Sequence, residues 1–141
     1  MSTPNPYLVF DGDCAAAMRF YEKTLGGKLE VLMSFADSPF AAQTPKDEVD
    51  RILHARLALP SGGALMASDA TRQCPYQGKH GFGLSLIYAT VAEARQVFEK
   101  LAEGGQVTMP MDKTFWAETF GMVTDRFGTP WMINGGAMQA L

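Results

Sequence analysis

His54 is the residue of this chain best suited to move a proton, and its neighbours suggest two uses for it. It lies in a run of alternating polar and apolar residues, on the same predicted strand side as Arg56. There, His54 would hydrogen-bond a ligand or act as an acid or base near neutral pH. Asp69, on the next predicted strand, would orient it, while Arg56 would bind an anion. The alternatives are a histidine held by a backbone or carboxylate partner and an arginine held in a salt bridge.

Aromatic and methionine side chains form the second group of candidates. The chain has nine Phe, two Trp and nine Met residues, several of them at predicted strand ends or in loops. Around a cleft, such side chains favour a flat or apolar small molecule. Trp116 beside Phe115 is the strongest pocket candidate, whereas Trp131 is expected in the core, and Phe120 is a candidate for both places. Three methionines would give the pocket a pliable apolar floor: Met66, Met122 and Met132.

An internal repeat indicates how these side chains are positioned. The segment Phe20-Tyr21-Glu22-Lys23-Thr24-Leu25-Gly26-Gly27 recurs, with one inserted residue, at positions 97–105. Each copy is a predicted helix that ends at a Gly-Gly pair, with a strand-like run before it and others after it. A period of more than half the chain indicates two similar modules rather than a solenoid of short repeats. Such modules are expected to share a cleft, and the functional site is expected there.

Hydrophobic alternation and capping residues predict the order βαβββ in each half. In the first half, Asp13 would cap a helix over 14–25, and the predicted strands are 7–10, 28–35, 51–59 and 64–69. In the second half, a capping box at 90–93 begins the helix, and the predicted strands are 81–88, 106–109, 120–124 and 129–134. Sparse helices over mainly antiparallel strands predict an α+β fold, in which two βαβββ modules form a curved, mostly antiparallel sheet around a cleft.

Length and composition favour a single compact domain over residues 1–141. Module 1 is predicted at about 5–69, a linker at 70–79 and module 2 at about 80–135. The loop over 36–49 contains two prolines and Phe40, and we interpret it as a lid over the first module's part of the cleft. A net charge of −3 without a basic cluster argues against a nucleic-acid partner, and the absence of a long apolar run argues against a membrane span. The N-terminus lacks signal-peptide features, so a cytoplasmic location is predicted.

The chain resembles the vicinal-oxygen-chelate superfamily of glyoxalases, ring-cleaving dioxygenases and bleomycin-resistance proteins, and within it the PhnB-like branch. The resemblance depends on paired βαβββ modules and on blocks that run in the expected order across nearly the whole chain. These blocks are 7–14 (YLVFDGDC), 20–21 (FY), 65–69 (LMASD), 115–116 (FW) and 125–131 (DRFGTPW). The resemblance implies a glyoxalase-like fold and, from frequent pairing of modules across chains, a homodimer.

Enzymes of this superfamily hold a divalent metal with His, Gln or Glu side chains on four strands, two per module. The resemblance places those positions near Asn5 or Pro6, near Met66, at Phe82 or Gly83, and at Met132. None of these side chains is a good ligand for a hard divalent ion. The resemblance therefore predicts that the metal site of the family is absent and that no cofactor is bound.

Together these observations predict a small-molecule-binding protein of the glyoxalase and bleomycin-resistance type. The expected ligand-binding residues are His54, Arg56, Met66, Trp116, Phe120 and Met132, with His54 and Asp69 as candidates for catalysis. The rival prediction is a lyase or dioxygenase-type enzyme. It would use either metal-free acid–base catalysis at His54 or a displaced metal site built from His54, His80, Asp69 and Glu118.

Overall fold

The structure is a computed structural model that describes residues 2–139 in two compact units, which meet in the chain between Gly78 and Lys79. The first unit contains β1 (Tyr7–Phe10), α1 (Cys14–Leu25), β2 (Lys28–Ser34), β3 (Ile52–Ala58) and β4 (Ala64–Asp69). The second contains β5 (Leu84–Tyr88), α2 (Val91–Ala102), β6 (Gln106–Asp112), β7 (Ala117–Thr124) and β8 (Pro130–Met138). The predicted α+β class and the two βαβββ modules are confirmed.

Each unit contains a four-stranded sheet with the same strand order. The orders are β1-β4-β3-β2 and β5-β8-β7-β6. In both sheets the first strand pairs in parallel with the last, and the other pairs are antiparallel. The repeated topology is the structural counterpart of the sequence repeat. It places strands from equivalent parts of the two modules at equivalent positions in their sheets.

The two helices begin in different ways. In α2, the Thr90 hydroxyl accepts a hydrogen bond from the backbone N–H of Glu93 at 3.1 Å and donates one to its carboxylate at 2.9 Å. Asp13 precedes α1, but its side chain makes no capping hydrogen bond. The backbone N–H of Cys14 instead donates to Asp69, from β4, at 3.0 Å. A carboxylate distant in sequence therefore takes the place of the predicted local cap of α1 and satisfies a different free donor, the N–H of the first helical residue.

Helix α1 packs on its sheet through the buried residues Cys14, Ala17, Met18 and Tyr21, which recur at three- and four-residue steps. It ends where Gly26 adopts φ +77, a conformation that favours glycine. Helix α2 buries Ala94, Val97, Phe98 and Leu101 with the same spacing. The predicted apolar faces of both helices are thus the faces that form the cores of the two units.

Strand boundaries in the second unit differ from the prediction. Strand β5 begins at Leu84 rather than Gly81, because Gly81 has φ +80, outside the extended range of a strand. Strand β6 continues through Pro110 to Asp112. It lies at the edge of its sheet, where a proline costs no ladder hydrogen bond on the open side. Strands β7 and β8 are also longer than expected: β7 begins earlier, at Ala117, and β8 ends later, at Met138.

The long loop between β2 and β3 is closed at its base by backbone pairing. The N–H of Phe35 donates to the carbonyl of Arg51 at 3.0 Å, and that of Ala36 donates to Val49 at 2.8 Å. A short 3₁₀ helix, Ala41–Gln43, lies within it. Neither helix of the described chain is long and apolar enough to cross a membrane.

Candidate functional site

One face of the first sheet packs on α1, and the other faces away from the helix. The rings of Phe10 and Tyr21 of α1 lie 6.5 Å apart, so the face with Leu8 and Phe10 faces the helix. Side chains alternate along a strand, and Tyr7 and Val9 therefore point to the opposite face. They are 48% and 39% exposed, whereas Leu8 and Phe10 are buried. We call the face opposite the helix the helix-free face of each sheet.

His54 lies on the helix-free face of the first sheet, next to Tyr7. The two rings stack with centroids 5.8 Å apart and an angle of 25° between their planes. The Tyr7 hydroxyl is also 3.2 Å from Nδ1 of His54, within hydrogen-bond distance. The partner of the His54 ring is therefore a tyrosine side chain on an edge strand, rather than the backbone or carboxylate group of the alternative interpretation. The sequence analysis missed Tyr7, although its alternation with buried Leu8 and Phe10 was a signal for it.

Arg56 and Met66 lie beside this pair. Strand pairing sets Met66 opposite both Tyr7 and Arg56, so the three side chains form one row across the helix-free face. Arg56 donates to Glu30 at 3.2 Å, and both side chains are well exposed. The alternative use of this arginine, in a salt bridge, is therefore the one found. A solvent-exposed pair of this kind is weak and leaves the guanidinium able to exchange partners.

Asp69 does not form the expected pair with His54. Strand pairing sets Asp69 opposite Phe10, on the helix side of the sheet, whereas His54 points to the other face. The carboxylate is buried and accepts three backbone hydrogen bonds, from Gly12, Cys14 and Ile52, at 2.8–3.0 Å. The prediction assumed that neighbouring antiparallel strands bring the two side chains to one face, but the register sets Arg56 opposite Met66, so Asp69 lies on the other face. In the structure, Asp69 organises the turn before α1 and the start of β3.

The second sheet also has a helix-free face. A Cβ atom built on Gly121 of β7 would lie 2.8 Å from the Phe98 ring of α2, so Gly121 faces the helix. Neighbouring Phe120 and Met122 therefore face away from it, as do their partners Asn134 and Met132. Phe120 is buried and Met132 is half-buried. Phe120 is thus buried, as expected of a core residue, and lies on the helix-free face at the same time.

Trp116 is held on this face by a small network. Its indole N–H donates to Oδ1 of Asn134 at 3.3 Å, and the amide of Asn134 donates to the Ser85 hydroxyl at 3.4 Å. The Trp116 ring packs edge-on against Phe120, with centroids 5.2 Å apart, and against Phe115. Trp116 also lines a shallow depression of about 240 Å³. Asn134 and Ser85 were not foreseen, because neither residue type indicates a site without the strand register.

Trp131 has the contrasting environment. It is 1% exposed, and its indole N–H donates at 2.8 Å to Asp125, whose carboxylate is also buried. The other oxygen of Asp125 accepts from the backbone N–H groups of Phe127 and Thr129. The structure therefore confirms Trp131 as a core residue, and the turn between β7 and β8 is built around one buried carboxylate.

Comparison with known proteins identifies the family. The Glyoxalase/Bleomycin resistance protein/Dioxygenase superfamily matches residues 3–133. The chain belongs to this superfamily. Protein YjdN of Escherichia coli strain K12 is 38% identical over 140 residues, which cover 92% of each chain. The crystal structure of protein PA1353 from Pseudomonas aeruginosa is 47% identical and has a TM-score of 0.89, with 97% of this chain and 99% of that one covered.

More distant superfamily structures share the fold. A PhnB protein from Bacillus cereus has a TM-score of 0.75 at 20% identity, with 96% of this chain and 100% of that one covered. The fosfomycin resistance protein FosX from Listeria monocytogenes, in complex with Mn(II) and a dihydroxypropylphosphonic acid, has a TM-score of 0.64 at 9% identity. That comparison covers 98% of this chain and 93% of the FosX chain. At such identities the likeness concerns the fold alone.

The resemblance places two metal-ligand positions of the superfamily near Met66 and at Met132, and the strand register shows which residues pair with them. Met66 pairs with Tyr7 in the first sheet, and Met132 pairs with Ser85 in the second, at corresponding points of the repeated topology. Tyr7 and Ser85, the strand partners of these methionines, lie close in the chain to the positions that the resemblance gives as Asn5 or Pro6 and as Phe82 or Gly83. Thioethers and neutral hydroxyls are poor ligands for a hard divalent ion, so this donor set does not fit the metal of the family.

The displaced metal site of the rival prediction finds no support in the geometry. Within residues 2–139, no three His, Cys, Asp or Glu side chains lie close enough together to hold a metal ion. Asp69 is used by backbone donors, and Glu118 accepts from the N–H of Ala137 at 2.8 Å. His80 is exposed, in the segment before β5.

Proposed function

We propose that this protein binds a flat, largely apolar small molecule on a helix-free face and does so without a divalent metal. The observation that carries the proposal is that two methionines, Met66 and Met132, lie on the helix-free faces where the resemblance places metal ligands. These side chains give the face soft, adaptable contacts in place of charged ligands. Superfamily membership supports small-molecule binding in general.

The ligand chemistry follows from the side chains on the two faces. Trp116 and Phe120 offer aromatic surface in the second unit, and Tyr7 stacked on His54 offers it in the first. Aromatic side chains bind planar ligands by stacking and edge contacts. Arg56 adds a cationic group that is only weakly engaged by Glu30 at the surface. On the first unit's face we therefore propose a planar ligand that carries a hydrogen-bond acceptor or an anion for Arg56, and on the second unit's face a planar, apolar one.

Native mass spectrometry of the protein purified from its own host tests the proposal. We expect a co-purifying organic molecule, bound at up to one equivalent per chain, that is lost on denaturation. Loading should fall in Trp116→Phe for a ligand on the second unit's face or in Arg56→Ala for a ligand on the first unit's face. It should stay at the wild-type level in Arg19→Ala, which removes a cation from α1. Loading that is unchanged in both site variants would place the ligand elsewhere on the protein.

We propose that the protein works in the cytoplasm and that it does so as a homodimer, as the family resemblance suggests. Light scattering coupled to size exclusion measures the mass directly. A mass of one chain at working concentration would contradict the dimer.

A second candidate function, metal-free acid–base catalysis, is favoured by the contact of His54 with Tyr7. The hydroxyl is 3.2 Å from Nδ1, so it fixes the ring and leaves Nε2 for a substrate. The co-purified molecule, incubated with fresh protein, distinguishes catalysis from binding. Turnover that is abolished in His54→Ala, with the ligand still bound, would support catalysis. Recovery of the ligand unchanged by the wild-type protein would exclude it for that compound.

A further inference from the structure

The loop between β2 and β3 covers a second cavity, separate from the helix-free face. The cavity has a volume of about 400 Å³, within the size range of small-molecule sites. Its apolar lining comes from Phe35, Phe40, Pro45 and Leu53. The other lining residues are four with neutral polar side chains and Glu48. Leu53 neighbours His54 in β3, so the two side chains point to opposite faces. None of the residues assigned above to the helix-free face is among the residues that line it.

Glu48 is the one ionisable residue among the described residues that line this cavity. It is only 9% exposed. One carboxylate oxygen accepts the backbone N–H of Arg72 at 3.0 Å, and the other lies 4.0 Å from the Arg72 guanidinium. That guanidinium is hydrogen-bonded instead to the carboxylate of Asp47 through both of its terminal nitrogens. Because a carboxylate has about four acceptor positions, Glu48 keeps capacity for a further donor.

A mostly apolar cavity with a single, largely buried carboxylate selects ligands by charge. A cation that reaches Glu48 forms the charge-assisted hydrogen bond that the Arg72 guanidinium, 4.0 Å away and bonded to Asp47, does not make with it. An anionic ligand meets like charge, and a neutral one gains only the apolar contact. The same residues that close the cavity, Phe40 and Pro45 of the loop, would cover the apolar body of the ligand.

We propose that this cavity is a binding site for a small amine with an aromatic or aliphatic body. Its ammonium group donates to Glu48, and its body packs between Phe35, Phe40 and Leu53. This site goes beyond the function proposed above and uses different residues. A neighbouring cavity of about 380 Å³ is also lined by Glu48, together with Arg51. Its charged side chains are already paired, since Arg51 lies 3.2 Å from Asp11. The amine site is therefore assigned to the apolar side of Glu48.

Calorimetry with three matched probes tests the charge selection: 1-naphthylmethylamine, 1-naphthalenemethanol and 1-naphthoate. At pH 7 the amine is a cation, and we expect it to bind about tenfold or more tightly than the alcohol, with naphthoate weakest. Glu48→Gln keeps an oxygen for the Arg72 N–H but removes the charge. This variant should bind the amine about tenfold more weakly than the wild type does and bind the alcohol with unchanged affinity. Asp37→Asn is the matched control, since it removes the same charge from the same loop outside the cavity lining.

Two further variants test the location of the probe. Leu53→Phe fills the cavity and should abolish binding of all three probes, with thermal melting as the check on folding. Phe40→Ala changes a largely exposed side chain, so it should fold normally and weaken the amine and the alcohol equally. Equal binding of the amine to the wild type and Glu48→Gln would overturn the proposal, as would full binding by Phe40→Ala. Neither result would affect the helix-free face, which Trp116→Phe tests independently.

Discussion

The two tryptophans of the second unit differ in what their indole N–H groups bind. Trp116 donates to Asn134, in a contact that is only partly buried, whereas Trp131 donates to the buried carboxylate of Asp125. A ligand that reaches the helix-free face changes the surroundings of the first ring and leaves those of the second unchanged. The pair therefore supplies both a reporter and an internal control within one unit.

Trp116→Phe should weaken ligand binding by about 1 kcal/mol and change stability little, because it removes an aromatic contact rather than core packing. Trp131→Phe should lower the free energy of unfolding by about 1–3 kcal/mol, since it removes a hydrogen bond to the buried carboxylate of Asp125. Ligand titrations followed by fluorescence, with denaturant unfolding of both variants, measure the two effects. A loss of several kcal/mol of stability in Trp116→Phe, with normal ligand binding, would show that Trp116 is a core residue.

Asp69 should matter for stability more than for ligand binding. Asp69→Ala leaves three backbone N–H groups without their acceptor, and we expect a loss of about 3 kcal/mol or more in the free energy of unfolding. Asp13→Ala is the matched control, because that carboxylate precedes the same helix without a capping hydrogen bond. Equal unfolding midpoints for the two variants in urea would contradict this assignment.

At the scale of secondary structure, local patterns predicted the elements better than the contacts between them. The helix at Cys14–Leu25 and the strand at Ala64–Asp69 have the predicted bounds because Gly-Gly pairs and hydrophobic periodicity are local signals. The extension of β6 through Pro110 was missed, because its edge position depends on the sheet order. For the same reason, the row of Tyr7, Met66 and Arg56 became visible only from the strand register.

Deleting residues 41–47 should leave the first unit folded and weaken ligand binding. The loop base stays closed by the hydrogen bonds at Phe35 and Ala36, so no strand loses its partner. The deletion removes Pro45 and neighbouring residues from the cavity under the loop. Circular dichroism and calorimetry with the naphthyl probes measure the two outcomes. A Gly/Ser replacement of equal length is the control for loop length, and an unfolded deletion variant would mean that the loop is structural.

The contact between Asp47 and Arg72 makes stability depend on pH in the acid range. The hydrogen bond from the Arg72 side chain holds the pKa of Asp47 below its ordinary value of 3.8. A depressed carboxyl pKa stabilises the folded state above the ordinary value, and that contribution is lost as the pH falls through the folded-state pKa. Urea unfolding between about pH 2 and 6 measures this. The free energies of unfolding of wild type and Asp47→Asn should differ most at the upper end of this range and converge toward the lower end. Since both side chains are exposed, the difference should be small. A gap that widens on acidification would contradict the assigned sign.

For the whole molecule, the repeated topology produces two equivalent positions that hold methionine, Met66 and Met132. Purified protein should therefore contain less than about 0.1 equivalents of Zn, Ni, Fe or Mn per chain, because thioethers bind hard divalent ions poorly. Elemental analysis of protein purified without chelator measures this. One metal per chain, lost together with thermal stability in His54→Ala, would contradict the expectation.

The parallel pairing of the first and last strands of each unit also has a consequence for biosynthesis. Tyr7 pairs with Met66, so β1 has no strand partner until β4 has left the ribosome. Closing such a long chain segment costs entropy before the pairing repays it, which slows folding relative to hairpin formation. Because domains fold as units during synthesis, N-terminal first, residues up to Asp69 can complete their sheet while the second unit is still being translated. Nascent β1 is therefore exposed to mispairing and to capture by chaperones until β4 emerges.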